Sequence, residues 1–140
     1  SRNDGFISWS LIQSAMNGEE GDESEYPKIL QEAMRNRLQT NTHEPITNNH
    51  LPFGIYNLAF GIWLLTRALN PWPGVWTEVE VKNNKSQEQT TERKRLKILS
   101  CHTQTISHEP FTMNLILDSV QLEGKTPVPF SQFCDAYLPL

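Results

Sequence analysis

At 140 residues with 37% apolar side chains, the chain has enough material for one compact domain with a modest core and not for two. Its formal net charge of -4 excludes a nucleic-acid binder of the generally basic kind, so any polyanion contact must be local. Two cysteines, Cys101 and Cys134, exclude a disulfide framework, and the absence of a basic and then apolar leader makes a reducing, cytosolic setting the default expectation.

The first element expected is a short strand, GFISWS from Gly5 to Ser10, in which Phe6 and Ser8 alternate with Ile7 and Trp9. Ser10 and Gln13 have capping-box spacing, which predicts a brief helix over Leu11 to Asn17 with Gly18 in the left-handed position after it. Five acids between Glu19 and Glu25 read as a solvated loop. Pro27 then opens an amphipathic helix through PKILQEAMRNRLQ, with Leu30, Met34 and Leu38 on one face. Thr40 to Gly54 is rich in turn formers and reads as a connector.

The segment from Ile55 to Asn70 is the most apolar, with Ile55, Leu58, Ala59, Ile62, Leu65 and Leu69 on one stripe and Tyr56, Phe60, Trp63 and Leu64 largely outside it. It is shorter than the roughly 20 apolar residues of a membrane span and holds Asn57, Gly61, Thr66 and Arg67, so a buried helix is expected. Pro71 ends that helix, Pro73 fixes a second backbone angle, and Gly74 permits the turn. The chain must leave this corner in a set direction. Val75, Thr77, Val79 and Val81 then share one face of a strand, with Trp76, Glu78 and Glu80 on the other.

KNNKSQEQTTERKR, Lys82 to Arg95, reads as a polar loop; Leu96 to Cys101 and Thr112 to Gly124 read as two further strands. Pro129 to Tyr137 reads as a short closing helix that packs Phe130, Phe133 and Tyr137. The fold expected is mostly β with helices (α+β): a small antiparallel sheet, or a reduced OB-like barrel with an inserted helical segment.

The blocks DGFISW, RALNPWPGVW, RLKIL and LILDSVQLEGKTPVPFSQF resemble, in order, the C-terminal domain of methionyl-tRNA formyltransferases. The resemblance covers Asp4 to Trp9, Arg67 to Trp76, Arg95 to Leu99 and Leu115 to Phe133. It implies one formyltransferase C-terminal-like domain over 1–140, with an insertion at 18–54. Fewer strands than usual lie between the second and third of the family's later blocks. The family moves a formyl group from 10-formyltetrahydrofolate to methionine on initiator tRNA, using a separate N-terminal catalytic domain. The chain opens on Ser1 rather than Met. The expectation is therefore a fragment with no catalytic residues and no cofactor of its own, working beside that missing domain in the cytoplasm or an organellar matrix, with no membrane contact.

The same resemblance implies that this domain holds the acceptor arm of initiator tRNA through basic residues. The candidates are Arg67, Lys82, Lys85, Arg93, Lys94, Arg95, Lys97 and Lys125. Between Lys82 and Lys97 six bases face only Glu88 and Glu92, a locally positive stretch suited to phosphates. The plainer reading of ERKR is a solvated loop tip, and Arg67 equally suits the carbonyl end of its helix. Trp72 is either a packing plug or a base-stacking ring.

Chemistry elsewhere is sparse. His43, His50, His102 and His108 lie in polar segments with no carboxylate partner evident in the sequence. Cys101, His102 and His108 form a weak metal pattern without a fourth ligand, and both cysteines read as buried thiols. Asn84, Lys85 and Ser86 form a glycosylation acceptor that a cytosolic protein does not use. Two rival functions stay open: the C-terminal domain of a sugar-nucleotide or folate-dehydrogenase formyltransferase, and a stand-alone protein-interaction module built on the acidic insertion and the apolar helix.

Overall fold

The computed structural model describes residues 5–32, 57–70, 74–83, 90–108 and 111–138. Helix α1, Trp9–Met16, begins at Trp9 because the Ser8 hydroxyl accepts from the Leu11 N–H at 3.3 Å. The expected strand over Gly5 to Ser10 therefore shrinks to one parallel bridge between Phe6 and Trp76, and Trp9 and Ser10 become helical. Leu11, Ile12 and Ala15 form the buried face of α1, and Gly18 follows with φ +78° as its position demands.

Helix α2, Leu58–Ala68, buries Leu58, Ala59, Gly61, Ile62, Leu65 and Thr66. Leu58, Ala59, Ile62 and Leu65 of the predicted stripe are among them; Leu69 is the half-buried C-cap, Gly61 and Thr66 widen the buried face, and Ile55 lies outside the described residues. On the opposite face Leu64 is 43% exposed, and Phe60 and Trp63 are half-buried. The acidic segment is also more than a solvated loop. Both Glu20 carboxylate oxygens sit 3.1 Å from the Leu58 N–H, capping α2 where its dipole favours an anion, and the Tyr26 hydroxyl donates to the Glu20 carbonyl at 2.6 Å. Leu30, in the helical stretch 28–32, is 2% exposed and lies over Gly61, where a Cβ would come within 2.7 Å of its Cδ1. Residues 18–32 of the expected insertion thus contribute Tyr26 and Leu30 to the core. The rest of that insertion, with the Thr40 to Gly54 connector, lies outside the described residues.

Four strands form one antiparallel sheet in the order β1-β2-β3-β4: β1 Val75–Asn83, β2 Thr90–His108, β3 Phe111–Leu122 and β4 Val128–Pro129. Among the described residues no pairing joins β4 to β1, and the sheet that they form is open. β2 is much longer than the predicted Leu96 to Cys101. Arg93, Lys94 and Arg95 lie within it, paired with β1, and its far half pairs with β3 where a further polar connection was expected. β3 ends at Leu122, and Gly124 turns with φ +77°.

Parity explains why the long strands were hard to read. On β2 the inward residues run Leu96, Ile98 and then Cys101; on β3 they run Leu115, Leu117 and then Val120. Register shifts between Ile98 and Cys101 insert Leu99 on one strand and Asp118 on the other, which flips the alternation on both. Helices α1 and α2 cover the inner face. Helix α3, Phe130–Tyr137, buries Phe133 completely and stacks it between Phe130 and Tyr137, with ring centroids 6.1 and 5.5 Å away. This is the closing helix the sequence predicted.

Candidate nucleic-acid interface

The β1–β2 register places Trp76 opposite Lys97, Glu78 opposite Arg95, Glu80 opposite Arg93 and Lys82 opposite Thr91. Because Val75, Thr77, Val79 and Val81 point into the core, these pairs occupy the outer face. Arg93, Arg95 and Lys97 therefore line one edge of a solvent-facing ladder with Trp76, Glu78 and Glu80 beside them. Lys94 lies opposite Val79 on the other face, and its Nζ sits 3.6 Å from the Glu92 carboxylate.

Each outer cation leans along β1. The Arg93 guanidinium lies 3.5 Å from the Glu78 carboxylate, the Arg95 guanidinium lies 5.0 Å from the Trp76 ring centroid, and the Lys97 stem passes over Gly74. Gly74 has φ +76°, and a Cβ there would meet Lys97 Cε at 2.6 Å. Gly5 backs onto the same glycine so closely that a Cβ would overlap its carbonyl oxygen. Ile7 N–H donates to the Trp76 carbonyl at 3.0 Å, and the Phe6 and Trp76 rings lie 4.7 Å apart. Glu123 completes the corner, accepting from the Arg95 N–H at 2.9 Å while its own N–H donates to the Arg95 carbonyl at 3.0 Å. Residues from all four motif blocks thus meet at one corner of the sheet, since Gly5, Gly74, Arg95 and Glu123 come from different blocks.

The remaining candidates are dispersed. Lys82 is exposed at the far end of the ladder, and Lys125 is exposed after β3, where its carbonyl accepts from Gln121 Nε2 at 3.0 Å. Arg67 stays on α2, in its last turn, with its guanidinium 5.1 Å from the Trp63 ring centroid. Lys85, Trp72 and the glycosylation acceptor Asn84 to Ser86 lie outside the described residues, as do His43 and His50. Phe6, Trp76 and Glu78 belong to the site and were not among the sequence candidates. Their signal was the alternation that puts Trp76, Glu78 and Glu80 on one face, together with the register it implies once β2 is extended.

One chemical expectation needs correction. His102 does have a carboxylate partner: its Nδ1 lies 2.7 Å from Asp118 Oδ2, across the shifted register, with both groups on the exposed sheet surface. Beside it the Ser100 and Ser119 hydroxyls meet at 2.6 Å. Cys101 and His102 face opposite sides of the sheet, so they cannot share an ion; among the described residues no group of three or more His, Cys, Asp or Glu could hold a metal. Burial pushes the Cys101 thiol up, against a weaker opposing bond from Thr66 Oγ1 at 3.5 Å and with a small further push from Asp118. Burial followed by Asp135 also raises Cys134. Among the described residues no helix is long and apolar enough to cross a membrane.

No protein-family model, functionally described protein or solved structure gives a match to this chain.

Proposed function

We propose that this chain is a non-catalytic RNA-holding domain of the formyltransferase C-terminal type, which grips initiator tRNA by its phosphates for a separate catalytic domain. The observation that carries the proposal is the outer corner of the sheet, where Arg95 and Lys97 are set beside Trp76 by the motif blocks themselves. Phosphate recognition needs cations fixed on a rigid element facing solvent, and a strand supplies them at alternate residues about 6.6 Å apart. Formyl transfer from 10-formyltetrahydrofolate then belongs to the partner domain, in the cytoplasm or an organellar matrix. Glu78 and Glu80 share the face, so affinity is modest, and it falls with salt.

The test is titration of initiator tRNA at low and moderate salt, comparing the native chain with one in which Arg93, Lys94, Arg95 and Lys97 are all changed to Ala. Salt-dependent binding that this change removes supports the reading, and no binding at low salt overturns it. A protein-contact role is the second reading, favoured by the half-exposed Phe60, Trp63 and Leu64 on α2.

A further inference from the structure

The geometry points to a division of labour within the basic row: Arg95 and Lys97 form the phosphate clamp, and Glu78 withholds Arg93 from it. This rests on the RNA-holding reading and specifies which cations carry it.

Along the row, each cation's surroundings differ in kind. Arg93 is well exposed, at 69% for its side chain, yet its guanidinium is 3.5 Å from the Glu78 carboxylate. A phosphate can use Arg93 only by competing with a carboxylate that is already in place. Arg95 lies over the Trp76 ring, which attracts the guanidinium without neutralising it. Among the described residues no side-chain carboxylate pairs with its guanidinium; Glu123 instead takes the Arg95 backbone N–H. Lys97 is threaded over Gly74, and it too has no carboxylate partner among the described residues. Lys94 is on the opposite face with Glu92.

Among the described residues, two consecutive outward positions on one strand therefore present cations with no carboxylate partner, their stems held by an aromatic ring and by a glycine that leaves room for them. The spacing of about 6.6 Å between alternate strand residues suits successive phosphates of one nucleic-acid strand. Glu78 and Glu80, on the neighbouring strand, repel a second strand laid across β1. The ligand class is a single run of phosphates following β2.

Counterion release makes this division measurable, because each phosphate contact contributes about 0.7 to 0.9 to the slope of log affinity against log salt. The experiment measures that slope for initiator tRNA between 50 and 200 mM salt (about a fourfold range) with the native chain and the variants R93A, R95A, K97A, E78Q and E78Q/R93A. R95A and K97A should each flatten the slope by about one contact, or roughly threefold in affinity across the range. R93A should leave it unchanged. E78Q should steepen it by about one contact, and E78Q/R93A should return it to the native value, which separates release of Arg93 from simple loss of a negative charge. Equal flattening by R93A and R95A, or an E78Q slope equal to the native one, overturns the division while the RNA-holding reading stands. No salt-dependent binding by the native chain or by E78Q overturns both.

Discussion

Replacing Gly5 by Ala is the sharpest test of how the corner is built. A Cβ on Gly5 would overlap the Gly74 carbonyl oxygen and fall 2.9 Å from its carbonyl carbon. Those are backbone atoms, so no side-chain rotation relieves the overlap; the 5–7 segment must move away from β1. Three contributions are then weakened together. The Ile7 to Trp76 hydrogen bond is worth about 1 kcal/mol net, the Phe6–Trp76 ring contact about 0.5–1.5 kcal/mol, and partial exposure of Ile7 about 1–2 kcal/mol. The expected loss is about 3–4 kcal/mol, which for a chain this size lowers Tm by roughly 10 °C or more. Gly124→Ala is the control, because that residue has φ +77° and nothing within 4 Å of an added Cβ, so it carries only the left-handed backbone cost of about 1–2 kcal/mol. Urea and thermal unfolding of both variants, followed by tryptophan fluorescence, give the comparison. Equal losses in the two variants, or a Gly5→Ala protein within about 1 kcal/mol of the native one, would refute the packing argument.

Four further outcomes follow from the packing. Leu30→Ala should cost about 2–4 kcal/mol in urea unfolding if the segment before residue 33 is part of the core; a cost below about 0.5 kcal/mol would mean that it is not. Glu20→Ala should destabilise by about 1 kcal/mol through loss of the acceptor for Leu58 N–H, with Asn57 still capping Phe60 N–H, and Glu20→Gln by less, because the amide oxygen still accepts from Leu58 N–H. Thr77→Val should be neutral or stabilising by about 1 kcal/mol, since among the described residues Thr77 Oγ1 is buried with no hydrogen-bond partner; clear destabilisation would show that the hydroxyl is bonded. Cys101 has a sign that can be worked out. Its folded pKa is raised, so as pH rises past the unfolded thiol value of about 8.5 the unfolded chain loses its proton first and stability falls, until the folded pKa is reached. Cys101→Ala should remove part of the alkaline decline seen in denaturant midpoints between about pH 8 and 10.

Much of the fold was readable because periodicity and punctuation agreed. The α2 stripe, the β1 alternation and the aromatic face of α3 each follow from residue spacing alone. The predicted boundaries failed where a polar residue outranked the pattern. Ser8 capped α1 two residues before Ser10, turning part of an expected strand into helix. Thr90 to Arg95 reads as loop on composition, yet pairing with β1 holds it extended. Two compensating register shifts then hide the alternation of β2 and β3 from any fixed period-two template. The candidate site was half legible for the same reason. The basic residue types were plain, but which of them share a face depends on the register, and register put Lys94 behind the sheet and Glu78 against Arg93. Glu20 is the clearest long-range case, because a carboxylate capping a helix 38 residues away leaves no local signal.

The most direct measurement of the central claim is a nitrogen-15 NMR titration of the chain with initiator tRNA at 50 mM salt. The account predicts that the largest shifts fall on Arg95, Lys97 and the Trp76 indole, with smaller ones at Phe6 and Gly74 and little change at Glu92 and Lys94. Shifts concentrated on α2 around Phe60, Trp63 and Leu64, or none at all, would contradict it.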